Sequence, residues 1–76
     1  MDEAEHTLDL KGLKCPLPAL RTAKFLKTLP AGATVCVTCT DALAVIDIPN
    51  LLNETGDELV SRSDEAGVLR FLIRKR

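Results

Sequence analysis

Two prolines separated by a single residue, Pro16 and Pro18, constrain this chain more than any other feature. Proline has no backbone N–H, and its ring clashes with the preceding helical turn. A helix therefore accepts such a pair only in its first turn, where the N–H groups have no intrahelical partner. Helical spacing follows them from Ala19 to Leu29. Ala19, Ala23, Leu26 and Pro30 fall on one face, with Thr22 and Leu29 beside it. Arg21, Lys24 and Lys27 lie outside that arc, which predicts an amphipathic helix with a basic outer side. Pro30-Ala31-Gly32 stops it. Cys15 is then expected at about the helix N-cap.

The remaining elements follow from periodicity and turn residues. Thr7-Leu8-Asp9-Leu10 alternates as a half-buried strand would, and Lys11-Gly12 ends it. Thr34 to Thr40 is rich in β-branched residues and reads as a central strand. Val35, Val37 and Cys39 share one of its faces, and Cys36, Thr38 and Thr40 the other. Asp41 is a candidate N-cap, Ile48, Leu51 and Leu52 have helical spacing, and Gly56 fits a C′ position. Pro49 interrupts this pattern: either the helix kinks there, or Asp47 caps a second, shorter helix. Glu58 to Ser63 and Val68 to Arg74 read as a hairpin around Asp64-Glu65-Ala66-Gly67. The order β-α-β-α-β-β predicts an α/β two-layer sandwich, a mixed four-stranded sheet with two helices on one face. We expect one domain over residues 1–76, with residues 1–5 a flexible acidic tail. The second sheet face, carrying Cys36, Thr38 and Leu72, is expected to be open or covered by a partner.

A chain of 76 residues buries only about 60% of the surface its unfolded form exposes. It cannot enclose a deep substrate cavity, so reactive groups belong on its surface and a larger partner supplies most of any pocket. Only two aromatics occur, Phe25 and Phe71, and the net charge is -1. Both facts argue against direct binding of nucleic acid, which needs stacking platforms and a positive field. The longest strictly apolar run, Ala42 to Ile46, is far below the roughly 18 residues of a membrane span. Met1-Asp2-Glu3-Ala4-Glu5-His6 is acidic and does not read as a secretory signal. The expected location is the cytoplasm, where the three cysteines would be kept reduced.

Cys15 is the leading chemical candidate. A helix N-terminus favours negative charge, and cationic neighbours lower a thiol pKa further. Lys14 is adjacent, and Lys11 and Arg21 are within reach in sequence. A depressed thiol pKa is therefore expected at Cys15. The competing reading, a buried cysteine packed as a small hydrophobe, fits this proline-rich helix start less well. Cys36-Val37-Thr38-Cys39 has C-x-x-C spacing, but mid-strand the two side chains point to opposite faces and cannot bond. Cys39 is expected in the core and Cys36 on the open face. His6, Cys15, Cys36 and Cys39 are too dispersed for a structural zinc, so no metal is expected. No phosphate loop and no second histidine for a Cys–His pair occur. The cations Lys11, Lys14, Arg21, Lys24 and Lys27 are either a solvated helix face or a docking patch for an acidic partner.

At Cys15-Pro16-Leu17-Pro18 the chain resembles the TusA-like (SirA-type) sulfur-carrier proteins, marked by Cys-Pro-x-Pro at the start of the first helix. The resemblance extends from about Thr7 to Lys75. Leu10 through Cys15, Gly32, Asp41, Asp47-Ile48-Pro49, Gly56 to Leu59 and Leu72-Ile73-Arg74-Lys75 all fit it. It implies the same β-α-β-α-β-β sandwich, and it implies that Cys15 carries sulfur as a persulfide, without a cofactor. It further implies a cysteine desulfurase or rhodanese-like sulfur donor and a downstream sulfur-acceptor protein. The family's pathways are tRNA thiolation, molybdenum-cofactor chemistry and sulfur oxidation, with some branches linked to selenium. Two positions depart from the family: Leu17 stands where the motif is often acidic, and Ile46 where arginine often precedes Asp-Ile-Pro.

The combined reading is a carrier-type sulfurtransferase with Cys15 as nucleophile. Pro16 and Pro18 stiffen its loop, and Lys14 and Arg21 support its thiolate or persulfide. Leu17, Lys11, Lys24 and Phe25 are the candidate partner-binding residues. The alternatives are a non-catalytic interaction or regulatory module acting through the open sheet face and the hydrophobic edge of Leu17, Leu20 or Phe25, or a selenium-related carrier.

Overall fold

The computed structural model describes residues 5–76. The elements are β1 (His6–Asp9), α1 (Leu17–Leu26), β2 (Thr34–Cys39), α2 (Ala44–Thr55), β3 (Glu58–Glu65) and β4 (Val68–Arg74). They form a four-stranded sheet in the order β1-β2-β4-β3. β1 runs parallel to β2, while β4 is antiparallel to both of its neighbours, so the sheet is mixed as expected. Of the expected acidic tail, residues 1–4 lie outside the described residues. The Glu5 N–H donates to Thr34 Oγ1 at 3.0 Å.

Strand alternation places the core. Val35, Val37 and Cys39 of β2 and Leu69, Phe71 and Ile73 of β4 are buried on one face. Leu26 and Leu29 from the α1 end and Ala44, Ile48 and Leu52 of α2 close over them, which puts both helices on that face. The opposite face carries Cys36 and Leu72, directly paired across β2 and β4 and half-buried. Phe71, Ile48 and Ile73 are fully buried, each stabilising the fold by about 1.5–3 kcal/mol relative to solvent exposure.

Several local features differ from expectation, and one open alternative is decided. The buried stripe of α1 is Pro18, Thr22 and Leu26, continued by Leu29; Ala19 and Ala23 are half-buried and turn toward α2, and Pro30 is exposed. The helix follows the larger side chains into the core, and the alanines let the second helix approach. α2 is one helix with Pro49 inside it, the first of the two alternatives, and its N-cap is Leu43 and not Asp41, with no side-chain cap bond. Its first turn is wound by Asp41 and Leu43 carbonyls, which accept from the N–H groups of Ala44 and Ile46, and Leu43 also accepts from Asp47. The hairpin strand β3 runs on to Glu65, and the turn is Ala66-Gly67 alone, with φ of 52° and 81°. Two positive φ values make the tight turn whose twist matches that of paired strands. Cys15 sits one residue before the N-cap, which is Pro16, and Pro18 occupies the second helical position, where no N–H is needed. Gly56 ends α2 in the left-handed conformation, as expected of a C-terminal glycine. Among the described residues no helix is long and apolar enough to cross a membrane.

Candidate functional site

Because β1 and β2 are parallel, their C-terminal ends lie at the same edge of the sheet. The connections that leave them, one leading into α1 and the other into α2, therefore meet. Cys15 comes from the first connection. Its backbone N–H donates to Asp41 Oδ2 in the second, and Asp41 Oδ1 accepts from the Leu43 N–H at 3.2 Å. The same alignment seats Gly12, whose N–H donates to Thr40 Oγ1 at 2.9 Å. The Lys14 carbonyl accepts from Leu17 N–H at 2.8 Å, and the Pro16 carbonyl from Leu20 N–H at 3.1 Å, which closes the first turn of α1 right behind the cysteine.

The Cys15 thiol is exposed and donates to Asp47 Oδ2 at 2.8 Å. Asp47 lies in the first turn of α2, 32 positions away in sequence. Cys15 forms one end of an open groove between the helices. Ala19, Leu20 and Ala23 line it from α1, and Asp47, Asn50, Leu51 and Glu54 from α2. Its walls carry two carboxylates and no cation.

This geometry reverses the expected sign of the thiol pKa. The hydrogen bond to Asp47 holds Cys15 above the ordinary cysteine value, and desolvation and the negative charges of Asp47 and Asp41 push the same way. A helix N-terminus offers roughly half a positive charge spread over its first turn. That is outweighed by a full carboxylate in contact with the sulfur and a second on the Cys15 backbone. The contact with Asp47 therefore favours the thiol over the thiolate.

The sequence-derived residues divide into separate places. Lys14 lines a shallow hollow with Gly12, Thr40 and Asp41, outside the Cys15 groove. Arg21 and Lys24 line a groove on the other flank of α1, with Leu8, Leu10, Phe25 and Thr28. Arg21 thus faces away from the thiol it was expected to support. Phe25 packs against the core and meets His6 edge-on, with ring centroids 6.1 Å apart. Lys11 is exposed at the end of β1, its N–H bonded to Asp9 Oδ1 at 3.1 Å. Leu17 is exposed at the first helical position, beside Pro16. Leu20, Leu43 and Ile46 are also exposed, so apolar surface lies at the starts of both helices. The residues that sequence reasoning left without a chemical role are Asp41 and Asp47, which it read only as helix caps and as part of a family pattern. The parallel pairing of β1 and β2, implied by a β-α-β order, was the signal that brings them to Cys15.

Cys39 is buried in the core, where burial, with a smaller contribution from Asp41, pushes its thiol up to about 11. Cys36 is half-buried on the opposite face, and none of the three cysteines is in a disulfide. Among the described residues no three His, Cys, Asp or Glu side chains are grouped to hold a metal ion.

A small α/β sandwich with an exposed cysteine ahead of a proline-braced helix defines a surface-thiol protein. The family described as sulfurtransferase TusA matches residues 6–75, and the chain belongs to that family. It is 39% identical over 75 residues to a sulfur carrier protein TusA of Allochromatium vinosum, covering 99% of both chains. It is likewise 39% identical over 72 residues to a sulfur carrier protein TusA of Pseudomonas entomophila, covering 95% of this chain and 90% of that one. The crystal structure of a SirA-like protein from Desulfitobacterium hafniense has the same fold, with a TM-score of 0.79 at 24% identity, over 91% of this chain and 95% of the other.

Proposed function

We propose that the protein is a sulfur carrier that takes up one sulfur atom as a persulfide on Cys15 and relays it to an acceptor protein. The observation that carries this reading is the exposed Cys15 thiol held at 2.8 Å from a carboxylate at the mouth of an open groove, in a chain of the TusA family. Persulfide is among the reversible caps of cysteine. In loading, Cys15 sulfur attacks the outer sulfur of a donor persulfide. The donor's S–S bond breaks, a new one forms on Cys15, and the donor leaves as a thiol. Nothing is oxidised or reduced overall, so the chemistry calls for no cofactor.

The groove is open, so specificity comes from the protein that covers it. A cysteine desulfurase or a rhodanese-like protein is the proposed donor, and a downstream thiol protein the acceptor. The destination is tRNA thiolation, molybdenum-cofactor synthesis or sulfur oxidation, in the cytoplasm, where thiols stay reduced. The groove's carboxylates change the expected character of the partner. It should meet Cys15 with an apolar surface against Leu20 and its neighbours and with neutral or positive charge toward Asp47 and Glu54. Acidic surface on the partner would fit the Arg21 and Lys24 flank instead.

The test is the intact mass after incubation with a cysteine desulfurase and free cysteine. One added sulfur is expected on the wild type and on a Cys36→Ser variant, and none on Cys15→Ser. Absence of loading, or loading that survives Cys15→Ser, overturns the proposal.

A further inference from the structure

The carboxylate in contact with the reacting sulfur takes no part in the chemical step as written above. Asp47 Oδ2 accepts the Cys15 thiol proton at 2.8 Å, and Cys15 is exposed to solvent. An incoming persulfide can therefore reach Cys15 from solvent.

The other charged groups around the pair are otherwise engaged or distant. Both Asp41 oxygens are committed to backbone N–H groups, of Cys15 and Leu43. Glu54 stands seven residues along α2 from Asp47, about 10 Å by helical rise. The α1 wall contributes Pro16, Ala19, Leu20 and Ala23, none of them titratable. Lys14 lies in the separate hollow with Asp41, and Arg21 on the far flank of α1.

We propose that Asp47 is a catalytic residue of the sulfur transfer, accepting the Cys15 proton as Sγ attacks the donor and passing it to the sulfur that the donor releases. The inference rests on the carrier function proposed above. In the loading step the Sγ–H bond breaks and Oδ2 takes the proton. The Sγ electron pair forms the bond to the donor's outer sulfur. The donor's S–S pair goes to its inner sulfur, which receives the proton from Oδ2. The products are the Cys15 persulfide, a donor thiol and the original carboxylate. In the onward step Cys15 Sγ is the leaving group. The same contact then hands it the proton that the attacking acceptor thiol gives up. The arrangement makes Cys15 a conditional nucleophile, because without a leaving group to reprotonate, the carboxylate only holds the thiol neutral. The thiolate is the reactive form toward ordinary electrophiles.

Asp47→Asn separates these two effects, since the amide keeps the shape and neither repels a thiolate nor takes a proton. Alkylation of Cys15 by iodoacetamide at neutral pH should become faster, by about tenfold for each unit by which the thiol pKa falls. Single-turnover loading from a persulfidated desulfurase should become slower, by about a hundredfold, the low end of general acid–base contributions. Wild-type loading should change little between about pH 6 and pH 8, while loading of Asp47→Asn falls with its thiolate fraction toward low pH. Asp47→Glu should recover part of the loading rate. Circular dichroism establishes that each variant is folded, and the Glu variant carries the test if the Asn variant is not. Faster loading by Asp47→Asn overturns the proposal, leaving Asp47 as a brake only. Parallel loss of alkylation and loading overturns it in favour of a structural role, and unchanged rates overturn the contact itself. A wild type that never gains sulfur, with the thiol still alkylated, refutes the carrier reading and not the Asp47–Cys15 contact.

Discussion

Asp41 ties Cys15 to the start of the second helix: one of its oxygens receives the Cys15 N–H and the other the Leu43 N–H. A single carboxylate thereby joins the connections leaving two parallel strands, across 26 positions of sequence. Asp41→Ala removes both acceptors and so the link between the two connections. It should lower stability by about 1–2 kcal/mol, as a shift of the denaturation midpoint. Cys15 should remain alkylatable in that variant, with its loading by a donor slowed because the sulfur is no longer held against Asp47.

The pH dependence of Cys15 alkylation has a defined sign. Its folded-state pKa is raised, chiefly by the hydrogen bond to Asp47. The rate should therefore still be climbing at a pH where an ordinary cysteine, near about 8.5, is half ionised. Peptide mapping of the alkylated protein isolates Cys15 from the other two cysteines. Arg21→Gln should leave this profile in place, because Arg21 lines the opposite flank of α1. A profile that shifts upward with Arg21→Gln would put the guanidinium back beside the thiol.

Cys39 should mark the alkaline limit of the fold. Its thiol is pushed up to about 11 by burial, against about 8.5 in an unfolded chain. Above the unfolded value the unfolded chain holds fewer protons than the folded one, so stability falls as pH rises. The contribution is fully present below about 8.5 and lost as pH climbs through the folded value of about 11. Denaturant melts across that range should show the decline, and Cys39→Ala should flatten it. At mildly alkaline pH in native buffer, Cys39 should resist alkylation and become reactive only on unfolding.

Much of the architecture was legible in the residues themselves. The proline pair could occupy only a helix's first turn, and α1 begins at Leu17 between them. Alternation over β2 separated Val35, Val37 and Cys39 from Cys36 and Thr38, and burial follows that division. Gly56 and Gly67 stand where the backbone takes positive φ. These features depend on interactions within a few residues, which local sequence encodes. Cys15 was likewise visible, because its proline flanks are adjacent to it.

The chemical setting of that cysteine was decided by tertiary structure. From neighbours alone, Lys14 and the helix N-terminus predicted a depressed thiol pKa. The folded chain instead places Asp47 on the sulfur and Asp41 on the backbone N–H, from 32 and 26 positions away. It also sends Arg21, Lys24 and Phe25 to the other flank of α1, although they are closer in sequence than either carboxylate. Coulomb energy depends on distance through space, and strand pairing sets that distance. The parallel register of β1 and β2 brings two connections to one edge of the sheet, and no spacing within either one reports the charge the other will deliver.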